Sequence, residues 1–453
     1  ISLHANAGNI AAGDIRSADG LSALAGGDIA LGDVTAGLGD QELVSGHVMI
    51  GATGAIDMGD VRAPLVNIST DEGAVAPFGA IRTGSITAEA IVIDGQGSVM
   101  TGNLKTGDFY SGIVTDFADY LIGVSARDSV NVGAIDGGGT VAIVAGNLAA
   151  FAGPVTGNDV GVISNDLQLG PSVGIGTAAT ARLALVSTNA NGLTFGGPAS
   201  DGGYSISASE AQALRAQQID ISSSAPVTIG AVTLNGSDAG ANANLVGDSG
   251  QLTIGSESGI RVNGAFTLAN AASGNRVTLR AGDGIALTGS GPGSLGGTLE
   301  LSGSSIAVAT GNLLDQLAEN PNFSGRNQAL ATPPGGPANL AGNIQANRLE
   351  LTATRLIAIQ NSGSAEQFAG FSAGAGGMRI TSNAPGNAPL DLVAFGRVAD
   401  GSGVFRINQD TLGAITFTNG EGNGGVSAGS IVNNCAVGGS GCAAPPPPPP
   451  PPP

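Results

Sequence analysis

The sequence predicts an all-β protein wound as a parallel β-helix, a solenoid with short helical and loop insertions. Three observations carry that prediction. First, a unit made of glycine, a short apolar run, Gly-Asp and another apolar residue recurs at residues 8–15, 27–34, 54–61 and 102–109. Its spacing suits one variable coil per roughly 20 to 25 residues, the last interval covering about two coils. Second, apolar residues recur in pairs two apart: Leu252/Ile254, Ile260/Val262, Phe266/Leu268, Val277/Leu279, Ile285/Leu287, Leu299/Leu301 and Ile306/Val308. Residues at i and i+2 share one face of a strand, so each pair marks a very short strand, about four residues long, with a two-residue inward face. Third, glycine supplies 77 of 453 residues and charged residues only 11%, which rules out an ordinary helical protein.

The elements follow in order. Residues 1–430 are expected to form ~20 coils of β-helix, short strands joined by Gly, Asn, Asp and Ser bends rather than by hairpins. An insertion is expected near 204–221: Ser207-Ala208-Ser209-Glu210 has the spacing of a capping box and residues 211–218 are rich in helix formers, so a short helix decorates a coil there. The recurrences Leu252 to Val277 and Ile260 to Ile285, then Val277 to Leu299 and Ile285 to Ile306, set the coil period in the next stretch. A second insertion is expected over 311–341, a short helix at 312–319 followed by a Pro, Gly and Asn-rich excursion. Residues 431–444 form a loop carrying both cysteines, and 445–453 are nine prolines, a stiff polyproline II spacer that cannot join a sheet.

The same composition narrows function. Mean hydropathy is +0.23, with Val, Ile and Leu spread throughout, so the chain has material for a long thin core and is not a disordered one. A formal charge of −19, from 35 acidic and 16 basic residues, argues against nucleic acid or an anionic membrane surface as the main partner. No run of about 18 apolar residues suggests a transmembrane helix. Ile1 is followed by no signal-peptide pattern, so the chain reads as a piece of a longer polypeptide.

Candidate chemistry is sparse. His4 and His47 are isolated and have no carboxylate spacing that suggests a triad. Lys105 and the arginines Arg276, Arg280, Arg379 and Arg397 are widely separated, so an enzyme of the kind that cleaves acidic polysaccharides, which draws Asp, Arg and Lys from neighbouring coils, is the minority reading. The Gly-rich runs at 136–139 and 420–425 lack the repeated Asp of calcium-binding nonapeptides. Thr416-Phe417-Thr418 is a single instance of the threonine ladder an ice-binding face would need. No cofactor or metal is expected. The candidate site is Cys435 and Cys442, with six residues between them, three of them glycine; the loop is flexible enough to close a disulfide, and no further Cys, His or dense acids nearby suggest a metal. A disulfide implies an oxidising compartment.

The coil signature Gly-x-Ile-x-x-Gly-x-Ile, the segment 204–210 running into Ile219-Asp220-Ile221, and its echo at 360–363 and 369–371 resemble the exoproteins of bacterial two-partner secretion, the filamentous-haemagglutinin-like family. The resemblance covers most of the chain. It implies a right-handed β-helix exported through an outer-membrane pore partner, secreted to the bacterial surface and acting as an adhesin or fibre on host cells, neighbouring cells or polysaccharide. It further implies that Cys435 and Cys442 lie where a C-terminal disulfide loop tethers the fibre at the pore. Two departures stand against the family pattern: its N-terminal secretion domain is not recognisable, and no C-terminal toxin domain is present. Two alternatives remain beside the adhesin: a polysaccharide-binding or polysaccharide-cleaving β-helix, and a subunit that joins end to end into filaments, because a solenoid end is an unpaired sheet edge.

Overall fold

A computed structural model describes residues 1–37, 46–71, 79–107, 121–197, 202–287, 294–308, 344–360, 371–382, 390–395, 404–411, 415–419, 426–427 and 430–435; beyond residue 285 the description is of backbone, apart from Glu300. The chain divides into two compact units, residues 1–227 with 240–255 and residues 228–239 with 256–453. The described strands pair in parallel and stack coil on coil, the parallel β-solenoid the sequence predicts.

In the first unit the coils up to residue 156 each contribute to three sheets. The first sheet runs from Ser2–Ala5 through Gly20–Ala25, His47–Ala52, Leu65–Thr70, Ala90–Gly95, Leu121–Ala126, Thr140–Ala145, Asp159–Ser164 and Arg182–Ser187 to Gln218–Ser223. The second is 8-stranded, from Ile10–Ala12 to Asp166–Leu169, and the third 7-stranded, from Ile15–Ser17 to Val155–Thr156. After the partial first strand, first-sheet strands are six residues long, against the four expected, while second- and third-sheet strands have two to four. The core is a set of columns. Leu21, Val48, Val66, Ile91, Ile122, Val141, Val160, Leu183 and Ile219 stand one above another, and all are buried. Alternation on a pleated strand sends every second side chain inward, so a six-residue first-sheet strand has three inward positions, as Leu21, Ala23 and Ala25 or Val48, Ile50 and Ala52 show.

The register locates the repeating unit. Its first apolar residue lies in the second sheet, as Ile10, Ile29 and Ile56, and its second in the third sheet, as Ile15, Val34 and Val61. The fourth copy is out of phase. Leu104 pairs with Ile86 in the third sheet, and its coil enters the second sheet at Val99, so this copy starts one corner later than the other three. Both corners of a coil carry Gly followed by a small or polar residue, and one pattern therefore fits either.

The helix α1 spans Ala208–Gln212, with Ser207 as N-cap and a complete Ser207/Glu210 capping box. It is earlier and shorter than the 211–218 stretch of helix formers suggested. Leu214 and Ala216 are buried and bridge in parallel to Ile175 and Leu245, so tertiary stacking recaptures residues that propensity alone would leave helical. The next strand is Gln218–Ser223.

In the second unit the recurrences read from the sequence are in register: Ile260 pairs with Ile285, Val277 with Leu299 and Ile285 with Ile306. While Gly259–Val262, Phe266–Ala269 and Gly284–Leu287 have the four residues expected, two of its strands are far longer, 15 residues for Ser294–Val308 and 17 for Ile344–Gln360. These two pair along their lengths with register shifts between Leu295 and Thr298 and between Gly303 and Ser305. Such irregularities let a strand bend without leaving the ladder. The proposed helix at 312–319, the excursion to 341, the Cys loop after residue 435 and the polyproline tail lie outside the described residues.

Candidate functional site

The structure gives the motif acids a defined task between coils. Asp14 Oδ1 accepts the backbone N–H of Asp33 at 3.0 Å, Asp33 Oδ1 that of Asp60 at 2.9 Å, and Asp60 Oδ1 that of Ser85 at 2.7 Å. Ser85 Oγ accepts from the Asn103 N–H at 3.3 Å, and Asn103 Oδ1 from Ala134 N–H at 2.8 Å. The steps are 19, 27, 25, 18 and 31 residues, so the ladder holds register while coil length varies. At the opposite end of the second sheet, Asn9 Oδ1 accepts from Asp28 N–H and Asp28 Oδ1 from Ala55 N–H, both at 2.8 Å. The sequence reading of this Asp as a turn residue is half of its role; it also satisfies a corner N–H on the neighbouring coil.

This task explains the preceding glycine. A Cβ added at Gly32, Gly59 or Gly84 would fall on the acceptor oxygen of Asp14, Asp33 or Asp60 respectively. Gly-Asx is thus a two-coil device, a side chain from one coil and the space for it on the next.

Inserted elements rest on buried polar side chains that sequence reasoning passed over. Asn244 is 3% exposed and its Nδ2 donates to the carbonyls of Gln212 at 2.9 Å and Leu214 at 2.7 Å, covering the C-terminal end of α1. Asn189 donates to Asn165 and Gly202 carbonyls and accepts from Asn191 N–H. In the second unit Asn275 Oδ1 accepts from the Ser237 and Ala272 N–H groups. Glu210 ties α1 downward: Oε2 accepts from Ser207 N–H at 2.8 Å and Oε1 from Leu169 N–H at 3.3 Å. Substituting Ser207 with Ala is expected to cost about 1 kcal/mol, read as a shift in urea midpoint, by removing the acceptor for the Glu210 N–H.

Tyr204 is fully buried beside Ser164, and among the described residues neither hydroxyl oxygen has a partner in hydrogen-bonding geometry. Burial, reinforced by the negative charges of Asp166 and Glu210, pushes the phenol far above its ordinary value of 10.0. The fold therefore holds the neutral form. Its stabilising effect is intact below the unfolded pKa and is lost as pH rises past it, because the unfolded chain then releases a proton that the folded chain keeps. Tyr204→Phe is expected to flatten the loss of stability above pH ~10. An unchanged alkaline unfolding profile would count against this assignment.

The other sequence candidates are dispersed. His4 and His47 lie on the first and third strands of the first sheet. Lys105 pairs with Asp136 at 3.1 Å, Arg182 with Asp220 at 3.0 Å and Arg276 with Glu300 at 2.9 Å. Each joins neighbouring strands of a sheet. Arg280 lies four residues beyond Arg276 on the strand Arg276–Ala281, with its side chain exposed; Arg379 falls on Phe371–Ser382, and Arg397 lies outside the described residues. Cys435 ends the strand Ser430–Cys435, opposite Thr411; its side chain and all of Cys442 lie outside the described residues.

The outward face of the first sheet carries small residues in register over coils 121–187. Its middle column is Gly123, Ala142, Gly161 and Ala184, flanked by Ser125, Val144, Ile163 and Val186. Among the described residues no helix is long and apolar enough to cross a membrane.

Comparison of the chain with protein-family models, with curated proteins and with solved structures gives no match.

Proposed function

We propose that this chain is part of a secreted, cell-surface β-solenoid fibre that mediates attachment or cell–cell contact, an adhesin of the filamentous-haemagglutinin-like kind exported through an outer-membrane pore. The observation that carries the reading is the use to which the repeat puts its polar residues. The motif acids accept corner N–H groups and its glycines make room for those acids, so the repeat invests its chemistry in stacking. An array built this way grows by coils and presents long flat faces to a partner.

Deleting the coding segment should reduce attachment of the producing cell and remove its surface fibres; unchanged adhesion and fibres would overturn the reading. The tether is tested apart from it. With Cys435 replaced by Ser, the protein should shift from the cell pellet into the medium, and retention on the cell would reduce the Cys435–Cys442 loop to a local staple.

A further inference from the structure

Exposed apolar surface is concentrated on the outward face of the first sheet. Among the described residues seven large apolar side chains are exposed, and five of them, Leu24, Met49, Leu65, Val144 and Ile163, project from this one face. Apolar residues gathered in this way mark a contact surface rather than the scatter of single residues any protein shows. Beside them the face has room. A Cβ at Gly123 or Gly161 would meet no side chain, only one backbone carbonyl oxygen at 4.0 or 3.9 Å. Neither glycine has a positive φ, so a larger side chain fits there in a single copy.

We infer that this face docks against the same face of a second copy of the chain, sheet on sheet, with the two stacks of coils running in opposite directions. The half-turn axis lies along the strands, between Ala90–Gly95 and Leu121–Ala126. The register of the ladder then fixes what opposes what. Large residues oppose small ones: Val92 faces Gly123, Met49 faces Gly161 and Leu121 faces Ala90. Ile163 faces Gly51, over which the Leu24 side chain leans, and Leu24 in turn faces Val186. The polar groups match as well, because the His47 ring, a donor, faces the Asp159 carboxylate, an acceptor, and Asp94 faces the Ser125 hydroxyl. Every pair occurs twice, as a two-fold interface requires.

Other arrangements spoil these matches. Centring the axis on Ala90–Gly95 sets Asp94 against Asp94, and centring it on Leu121–Ala126 sets His47 against Arg182 and Leu65 against Asp159. A half-turn about the stacking direction sets Ile163 against Asp159 and Val186 against Arg182. The inferred pairing spans the eight six-residue strands from Gly20–Ala25 to Arg182–Ser187, a patch of roughly 38 by 20 Å. Two such patches bury ~1,500 Å² in total, the size of a specific interface.

The test is sedimentation equilibrium of the full chain and three variants. The chain should dimerise with a Kd of ~100 μM or lower. Gly161→Met sets methionine against Met49 and should weaken the dimer at least ~10-fold while leaving the melting temperature of the dilute chain unchanged. Met49→Ala should weaken it too, and Met49→Ala/Gly161→Met, which exchanges large and small across the interface, should restore the Kd to within ~3-fold. A dimer indifferent to Gly161→Met, or one that the paired substitution does not restore, would overturn the inference. A chain that stays single at ~1 mM would overturn it as well, and would leave the attachment reading in place, since that reading does not require self-association.

Discussion

Gly59→Ala is expected to lower the free energy of unfolding by about 2–4 kcal/mol, the sum of a forced displacement at a tight contact and the weakening of one hydrogen bond. The new Cβ would fall on Asp33 Oδ1 and within 3.0 Å of the Asp33 nitrogen and the Gly32 carbonyl carbon. The oxygen must move, and the Asp60 N–H that it accepts at 2.9 Å loses its partner. Asp33→Ala alone is expected to cost less, about 1 kcal/mol, because the corner is solvent-exposed and water replaces the lost acceptor. The two substitutions should be strongly coupled, since with Asp33 shortened the Cβ at position 59 meets less. A double-mutant cycle by urea denaturation reads this directly. Additive effects would mean that glycine is needed at 59 for some reason other than the acid beneath it.

Ile91→Ala is the second large effect, expected at about 2–5 kcal/mol. Ile91 is 0% exposed and stands between Val66 below and Ile122 above. Little can collapse into the space it leaves, because both neighbours are held in their own ladders. Val92 points outward on the same strand and is half-buried; Val92→Ala should fall within about 0.5 kcal/mol of the parent. Nearest-neighbour coupling adds a spatial signature, with amide exchange accelerating most at 65–70, 90–95 and 121–126. Equal losses for the two substitutions would contradict the inward and outward assignment.

Much of the fold is legible because the solenoid is written locally. An inward pair two residues apart is enough to mark one short strand, so Leu252/Ile254 or Val277/Leu279 can be seen without knowing what lies above. The recurrence of Val277 at Leu299 predicted a pairing found in register. The phase of the repeat was less legible. The corner before Leu104 resembles the one before Val99 because both need Gly followed by a small polar residue, and only the stacking partners, Ile86 for Leu104 and Ile81 for Val99, separate them. The full length of the strand 294–308 was missed because Gly and Ser inside it read as turns, where the sheet uses register shifts instead.

The buried asparagines show a deeper limit. Asn189, Asn244 and Asn275 look like bend residues in sequence, and their function as hydrogen-bonding posts for inserted segments depends on carbonyls and amides up to 38 residues away. No local pattern encodes that. The acids of the Gly-Asp corners were recognised as structural, but the coil-to-coil bond appears only once the coils are stacked.

The central claim is that each corner acid reaches across a coil, and residue-resolved amide exchange in Asp33→Ala tests it most directly. The Asp60 amide, 27 residues along the chain, should exchange at least ~10-fold faster than in the parent, while the Asp33 amide, held by Asp14 from the coil below, keeps its rate. An unchanged rate at Asp60, or acceleration confined to the sequence neighbours of residue 33, would contradict the account.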